Sequence, residues 1–257
     1  MSKVITMIPV RLAATRLPNK PLRDINGKPL IQHVYEHVKA AIKGDVCIAA
    51  GDREIRDVAE SFGATCVLTD PNLPSGTDRI ATALKEIDPD GVKYDIAVNF
   101  QGDNINVDPA INNRLIKIIE ETDCDLATCG MVFKTREDAE NPNNVKIVMG
   151  LEKGETQGRA VYFTRSLAPY VRDVEKCPYQ DYYHHIGIYV FKTSVLMKFP
   201  QMGEAVLEKR EKLEQLRFLQ NGYHVQALIV DKIKLIETAP ADINTIEELE
   251  AYRKLGV

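Results

Sequence analysis

Two short polar segments carry the residue types that manage phosphate and metal chemistry. The first is Arg11-Leu-Ala-Ala-Thr-Arg16-Leu-Pro-Asn-Lys20, which holds three cations within ten residues. Arginine offers a planar fork of donors and lysine a mobile point charge, so a loop of this composition can surround a polyphosphate. A solvated basic loop is the plain alternative. The segment has neither G-x-x-x-x-G-K-S/T nor G-x-G-x-x-G, so neither the P-loop nor the dinucleotide fingerprint applies. The second is Gln101-Gly102-Asp103. Magnesium takes oxygen ligands, usually one or two carboxylates plus substrate phosphates. Asp103 can be one of them, with Gly102 letting the backbone pass close to a ligand; the alternative is a turn aspartate.

Three further patterns are weaker. Pro74-Ser75-Gly76-Thr77-Asp78-Arg79 places small hydroxyls and a glycine at a helix start, where free N–H groups can receive a base or phosphate. Alone it reads as a helix N-cap. His184-His185 precedes an apolar strand, and alternation lets only one of the pair face a given site. Glu208–Arg217 (EKREKLEQLR) reads as a solvated helix face laced with ion pairs.

These residues need a scaffold, and the first half of the chain supplies a regular one. Val4–Val10 is a near-continuous apolar run, as a strand buried on both faces requires. Pro29–Ala41 reads as a helix with Leu30, Val34, Val38 and Ala41 on one side. Strands at Asp45–Ala50, Thr65–Thr69 and Asp95–Phe100 alternate with helices at Glu54–Phe62 and Gly76–Ile87. This rhythm predicts an α/β fold: a mostly parallel, Rossmann-like sheet with helices on both faces. Ligands of such sheets bind beyond the carboxyl ends of the strands, where both polar segments fall. The second half is less regular. Asp125–Phe133, Val145–Met149, Ala160–Thr164 and Ile186–Phe191 read as strands, with a turn-rich hairpin connection at Gly150–Gly158. Leu207–Asn221 reads as one helix closed by Gly222, Val225–Val230 as a strand and Thr245–Leu255 as a final helix. The expectation is a single domain over 1–257 with a smaller antiparallel lobe embedded near 130–200.

The composition sets outer limits. In 257 residues, 44% are hydrophobic and 27% charged, enough for a normal core and a solvated surface. The formal charge of −4 argues against a general nucleic-acid binder, though a local basic cluster is enough for a small anion. The apolar run before Arg11 is too short for a signal-peptide core and no stretch reaches membrane-spanning length, so a cytoplasmic protein with no membrane partner is expected. Five cysteines (Cys47, Cys66, Cys124, Cys129, Cys177) include no C-x-x-C pair and suit small buried hydrophobes.

In their order, several segments resemble the 3-deoxy-manno-octulosonate (Kdo) cytidylyltransferases, also called CMP-Kdo synthetases. They are IPVRLAATRLPNKPL (8–22), INGKPLIQHVYE (25–36), PSGTDRI (74–80), VNFQGD (98–103), NPNNVKIV (141–148), VYFTR (161–165), HHIGIYVF (184–191), EKLEQLRFLQNGY (211–223) and INTIEELE (243–250). The first loop differs from the Gly-Gly loop of sugar-nucleotide pyrophosphorylases and the R-x-G-S-K type loop of CMP-sialate synthetases. The resemblance implies a nucleotidyltransferase fold, a homodimer, and transfer of CMP from CTP to the anomeric hydroxyl of an acidic 3-deoxy sugar for lipopolysaccharide or surface-polysaccharide synthesis. It implies that Arg11, Arg16 and Lys20 hold the triphosphate, and that Ser75, Gly76, Thr77 and Arg79 lie around the nucleotide. Gln101, Arg165, His185, Tyr189, Glu214 and Gln215 would contact the sugar, and Asp103 would bind Mg2+. A sugar carboxylate calls for a cationic or donor partner, which Arg165 and His185 can provide.

Three positions depart from the family pattern. Ala50-Gly51-Asp52-Arg53 stands where the family has A-T-D-D, Asn104-Ile105 where it has Glu-Pro or Leu-Pro, and Asn244 where it has a second metal-binding aspartate. Asp242 can reach the same site if its segment is extended; otherwise triphosphate and water must complete the metal's shell. Two other functions stay open: a cytidylyltransferase for another acidic acceptor (amino-Kdo, a nonulosonate or a phosphonate), and a nucleotide-binding protein that has lost catalysis.

Overall fold

The computed structural model describes residues 2–13, 17–173, 175–176 and 182–256. In chain order, β1 (Val4–Val10), β2 (Asp24–Ile25) and β3 (Lys28–Pro29) lead into α1 (Leu30–Ala41). Then come β4 (Asp45–Ala50), α2 (Arg53–Ser61), β5 (Thr65–Leu68), α3 (Gly76–Ile87), β6 (Ile96–Asn99) and α4 (Ile111–Glu121). The second half has β7 (Leu126–Val132), α5 (Arg136–Glu140), β8 (Lys146–Gly150), β9 (Gln157–Thr164), β10 (Tyr183–Lys192), α6 (Thr193–Leu196), α7 (Val206–Glu211), α8 (Gln215–Gln220), β11 (Val225–Ile229) and α9 (Ile246–Arg253).

The chain divides into two compact units: Met1–Arg114 with Phe191–Pro200 and Ile233–Val257, and Leu115–Val190 with Gln201–Lys232. In the first unit the strands run β5-β4-β1-β6, all parallel. Apolar runs form them because both faces are covered: all of β1 after Val4 is buried. Helix α1 buries Leu30, Ile31, Val34, Tyr35 and Val38, the spacing of one helical face. Val10 pairs with Ala50, and Met7 with Asn99, so the carboxyl ends of β1, β4 and β6 share one edge. The β2–β3 hairpin turns through Asn26 (φ 51°) and Gly27 (φ 92°), the two left-handed positions that a two-residue hairpin demands.

The second unit is mixed. β7 and β11 are parallel, but β11–β9, β9–β8 and β8–β10 are antiparallel. The α/β reading therefore holds, while the expectation of a mostly parallel sheet is corrected to a mixed one. The cause is the short β8–β9 hairpin, since a turn of this length can join only antiparallel strands.

The single helix expected over Leu207–Asn221 is also corrected. Lys212 adopts φ 55° and ends α7, and α8 restarts at Gln215. The expected solvated face holds only in part: Lys209, Arg210 and Lys212 are exposed. Glu208 and Arg217 are buried and joined by two hydrogen bonds of 2.8 and 2.6 Å. Residues nine apart lie on opposite sides of a continuous helix, about two and a half turns on, so this pairing requires the break. No helix among the described residues is long and apolar enough to cross a membrane.

Candidate active site

At the shared strand edge the first unit opens a cleft of about 320 Å³. Arg11, Lys20, Ser75, Gly76, Arg79, Gln101 and Asp103, seven of the residues expected from sequence, line it. Thr77 is buried in the first turn of α3. Arg16 lies outside the described residues.

Each wall has a local cause. The loop after β1 is tied back by Asp52, whose carboxylate accepts from Leu12 N at 2.7 Å. Ser75 is the N-cap of α3: its Oγ accepts from Asp78 N at 3.1 Å and donates to Asp78 Oδ2 at 2.8 Å. Gln101-Gly102-Asp103 follows β6, and Asn104 N returns to Gln101 O in a tight turn. The close approach of β1 by itself requires glycine at 102. A Cβ there would collide with Val10 Cγ1 and lie 3.1 Å from Pro9 O. Asn99 Oδ1 accepts from Gln101 Nε2 at 3.0 Å and holds that amide.

Arg79 gives the cleft a buried positive charge. Its Nη1 donates to Thr69 Oγ1 (2.6 Å) and Asp70 O (3.1 Å), and its Nη2 to Pro71 O (3.3 Å). All three acceptors are neutral. Burial, and then the neighbouring Arg11, lower its pKa. A guanidinium bound to neutral groups, with a second cation beside it, suits an anion that brings its own charge. Gly51 makes the space for them: a Cβ there would fall 2.7 Å from Arg79 Nη1 and 3.1 Å from Arg11 Cβ.

On the other side, Lys20 Nζ donates to Asp103 Oδ2 at 2.7 Å and to Asn244 Oδ1 at 3.0 Å. The Asn244 amide then donates to Asp242 Oδ2. Burial, and then the charge of Asp103, raise the Asp242 pKa. Sequence reasoning missed the device that delivers this tail. Asn106 is fully buried; its Nδ2 donates to the carbonyls of Ile236 (2.8 Å), Pro240 (3.0 Å) and Ala239 (3.3 Å), and its Oδ1 accepts from Ile236 N at 2.8 Å. Ile243 N then reaches Asp103 O at 3.3 Å. The one available signal is an asparagine inside the apolar run Ile105-Asn106-Val107.

In the second unit, Arg165 is fastened by its surroundings. Its Nε donates to Glu211 O at 2.7 Å and its Nη1 to Pro142 O at 3.1 Å, while Glu211 Oε2 accepts from Arg165 N at 2.9 Å. Lys146, fully buried, donates to the carbonyls of Asn141, Asn144 and Arg165 at 2.8–2.9 Å. His185 packs against Phe163 and Tyr189, with ring centroids 4.8 and 5.5 Å away. Burial pushes its pKa down to about 3, so it is no cation at neutral pH. Burial, and then Glu214, raise the Tyr189 pKa well above its usual value, which keeps the phenol protonated. Gln215 is buried and Glu214 half-buried at the start of α8.

The Cytidylyltransferase family profile matches residues 5–234. The 3-deoxy-manno-octulosonate cytidylyltransferase of Rhodospirillum rubrum is 41% identical over 98% of this chain and 94% of its own. That of Methylorubrum populi is 40% identical over the full length of both. A solved structure of CMP:2-keto-3-deoxy-manno-octonic acid synthetase complexed with CTP superposes with a TM-score of 0.84 at 32% identity, covering 99% of this chain and 98% of that one. With the first-loop, Ser75–Arg79 and Gln101–Asp103 motifs on one cleft edge and this similarity running end to end, the chain belongs to the Kdo cytidylyltransferase family.

Proposed function

We propose that this enzyme transfers CMP from CTP to the anomeric hydroxyl of Kdo, releasing pyrophosphate, for lipopolysaccharide or surface-polysaccharide synthesis. The observation that carries this reading is the first-unit cleft, where Arg11, Lys20 and Arg79 meet the N-terminus of α3 and one carboxylate, Asp103. The anomeric oxygen attacks the α-phosphorus in line. The new P–O bond forms as the bond from α-phosphorus to the bridging oxygen breaks, and the hydroxyl proton passes to solvent. Such a transfer needs positioning and charge neutralisation more than covalent help. Arg11, Arg16 and Lys20 hold the triphosphate and stabilise charge on the leaving pyrophosphate. Ser75, Gly76, Thr77 and Arg79 surround the nucleotide.

The residues fit Mg2+. Asp103, Asp242 and Asn244 offer hard oxygen donors, and the Lys20 ammonium between Asp103 and Asn244 marks a place that already holds a cation. Among the described residues no group of three or more His, Cys, Asp or Glu is arranged for a metal. That suits an ion that completes its octahedron with phosphates and water. Asp103 is its principal ligand, with Asn244 or Asp242 beside it. When bound, the metal neutralises phosphate charge and draws electrons from phosphorus.

The sugar is assigned to Gln101, Arg165, His185, Tyr189, Glu214 and Gln215. Arg165 supplies the positive charge for the carboxylate. The test is pyrophosphate release from CTP with Kdo, with and without Mg2+, against amino-Kdo, a nonulosonate and a phosphonate. Metal-dependent release with Kdo preferred supports the reading; turnover only with another acceptor overturns the sugar assignment.

A further inference from the structure

The His185 ring makes one side-chain hydrogen bond whose direction can be deduced. Thr128 lies fully buried on β7, and its hydroxyl has a single proton to give. Its Oγ1 stands 2.7 Å from Ile188 O and 3.3 Å from Ile186 O. Carbonyl oxygens bring no proton, so the hydroxyl must donate to one of them. It then meets His185 Nε2, 3.0 Å away, as an acceptor. Nε2 must carry a hydrogen for that contact to be a hydrogen bond rather than a clash of lone pairs. Burial keeps the ring neutral. A neutral imidazole protonated on Nε2 has a bare lone pair on Nδ1.

We infer that Thr128 is a positioning residue that fixes His185 as the Nε2–H tautomer, so that the ring meets the sugar through Nδ1 as an acceptor for a hydroxyl. Contacts with the Phe163 ring, edge-on at 71°, and the Tyr189 ring, tilted at 53°, restrict the rotation of the imidazole. The division of labour within the second unit follows. A lone pair on Nδ1 repels a carboxylate, so Arg165 alone provides the charge for that group and His185 reads a hydroxyl. A site built to bond a substrate hydroxyl rejects an analogue lacking it far better than an apolar wall does, because the buried acceptor is left unpaired. Thr128 therefore contributes to sugar specificity without touching the sugar. The role in recognition rests on the assignment of His185 to the sugar; the tautomer does not.

Two measurements on the full chain separate these. Nitrogen-15 correlation spectra of histidine-labelled protein, with the His185 signal assigned by loss in His185→Asn, are expected to show a neutral ring protonated on Nε2. Thr128→Val should mix the tautomers and raise the sugar KM about tenfold, the scale of one hydrogen bond of roughly 1.4 kcal/mol. The CTP KM should stay near wild type, and Thr128→Ser should restore both readouts. Asparagine can place its carbonyl oxygen near the Nδ1 position and glutamine its amide near Nε2, so His185→Asn should keep more sugar affinity than His185→Gln. A wild-type ring protonated on Nδ1, or charged, overturns the inference and leaves the proposed reaction standing. The expected tautomer together with a wild-type sugar KM in folded Thr128→Val and His185→Gln overturns the sugar assignment, and the positioning role with it.

Discussion

Lys20 Nζ lies 2.7 Å from Asp103 Oδ2, an ion pair that places a permanent cation beside the carboxylate assigned to the metal. When CTP and its metal arrive, the two must share Asp103, or Lys20 must swing to the phosphates. Lys20→Met is expected to lower turnover by about 2–4 kcal/mol in transition-state stabilisation, the scale of losing one charge-directed donor. Binding of Mn2+ to the free protein, read by paramagnetic relaxation, should strengthen, because Asp103 loses its competing partner. Wild-type turnover with unchanged Mn2+ affinity would show that Lys20 is only a solvated charge.

Asp103→Asn is expected to abolish metal-dependent turnover and to weaken Mn2+ binding, since an amide keeps the oxygen but loses the charge. At the tail, Asn244 bonds Lys20 through its oxygen and Asp242 through its amide, so Asp242 is already engaged. Asn244→Asp should therefore lower the magnesium needed for half-activation, while Asp242→Asn changes it less. If Asp242→Asn proves as severe as Asp103→Asn, Asp242 is the second ligand. If neither tail substitution alters magnesium dependence, the tail does not serve the metal.

Gly51 is not held to glycine by its backbone, which has no positive φ, but by the space that Arg79 and Arg11 need. Gly51→Thr, the residue usual in the family, should destabilise the first unit by about 1–3 kcal/mol through overpacking. It should also raise the CTP KM. In an Arg79→Ala background the same change should add little, because both act through one guanidinium. Full additivity of the two would sink this account of Gly51.

The regular half of the fold was legible for a physical reason. Parallel strands covered on both faces read as unbroken apolar runs, and β1, β4 and α3 match their expected limits to the residue. Asn26-Gly27 is a strong hairpin signal, and the Ile111–Glu121 stretch carries helical spacing, yet neither element was assigned from sequence. The misread helix at 207–221 has charges whose partners are set by a chain reversal that no local window contains. The candidate site followed the same rule. Arg11, Lys20, Ser75 and Asp103 stand out because phosphate and metal chemistry has few residue types to draw on. Asn106 and Thr128 act through neutral bonds to distant chain, and Thr69 by accepting from the Arg79 guanidinium; their residue types alone say nothing of that.

The buried pair in the second unit is open to direct test. Glu208→Gln removes the buried carboxylate that Arg217 pairs with at 2.6 Å and should cost about 3–5 kcal/mol in urea unfolding. Glu208→Leu with Arg217→Met should recover most of that, less the bond from Ala205 N to Glu208 Oε2. A Glu208→Gln protein of wild-type stability would mean that the pair is not formed.

Acid should weaken the fold. Burial is the first cause of the lowered pKa values of His37, His184 and His185. The unfolded chain takes up these protons as pH falls through about 6.5, while the native state resists. The stabilisation is thus fully present above that range and is lost below it. With His185 held at about 3, it alone should remove about 2 kcal/mol between pH 7.5 and 5. Asp242, whose pKa is raised, acts in the opposite sense at lower pH and offsets part of the loss. Thermal melts from pH 7.5 to 5 check this: Tm should fall, with a shallower slope in His185→Asn. A flat profile in the wild type contradicts it.

The Asn106 clamp gives the molecule an order of assembly. Its carbonyl partners lie 130 to 134 positions further along the chain, so a ribosome making the protein releases the Asn106 amide long before anything can receive it. The whole second unit is synthesised in between. Until Ile236–Pro240 emerges, that amide must stay in water, the turn carrying Asp103 has no tail to close over it, and Lys20 has no Asn244 to meet. The unit that begins the chain is therefore completed last, and a nascent polypeptide holds every nucleotide-facing cation without a finished place to use it.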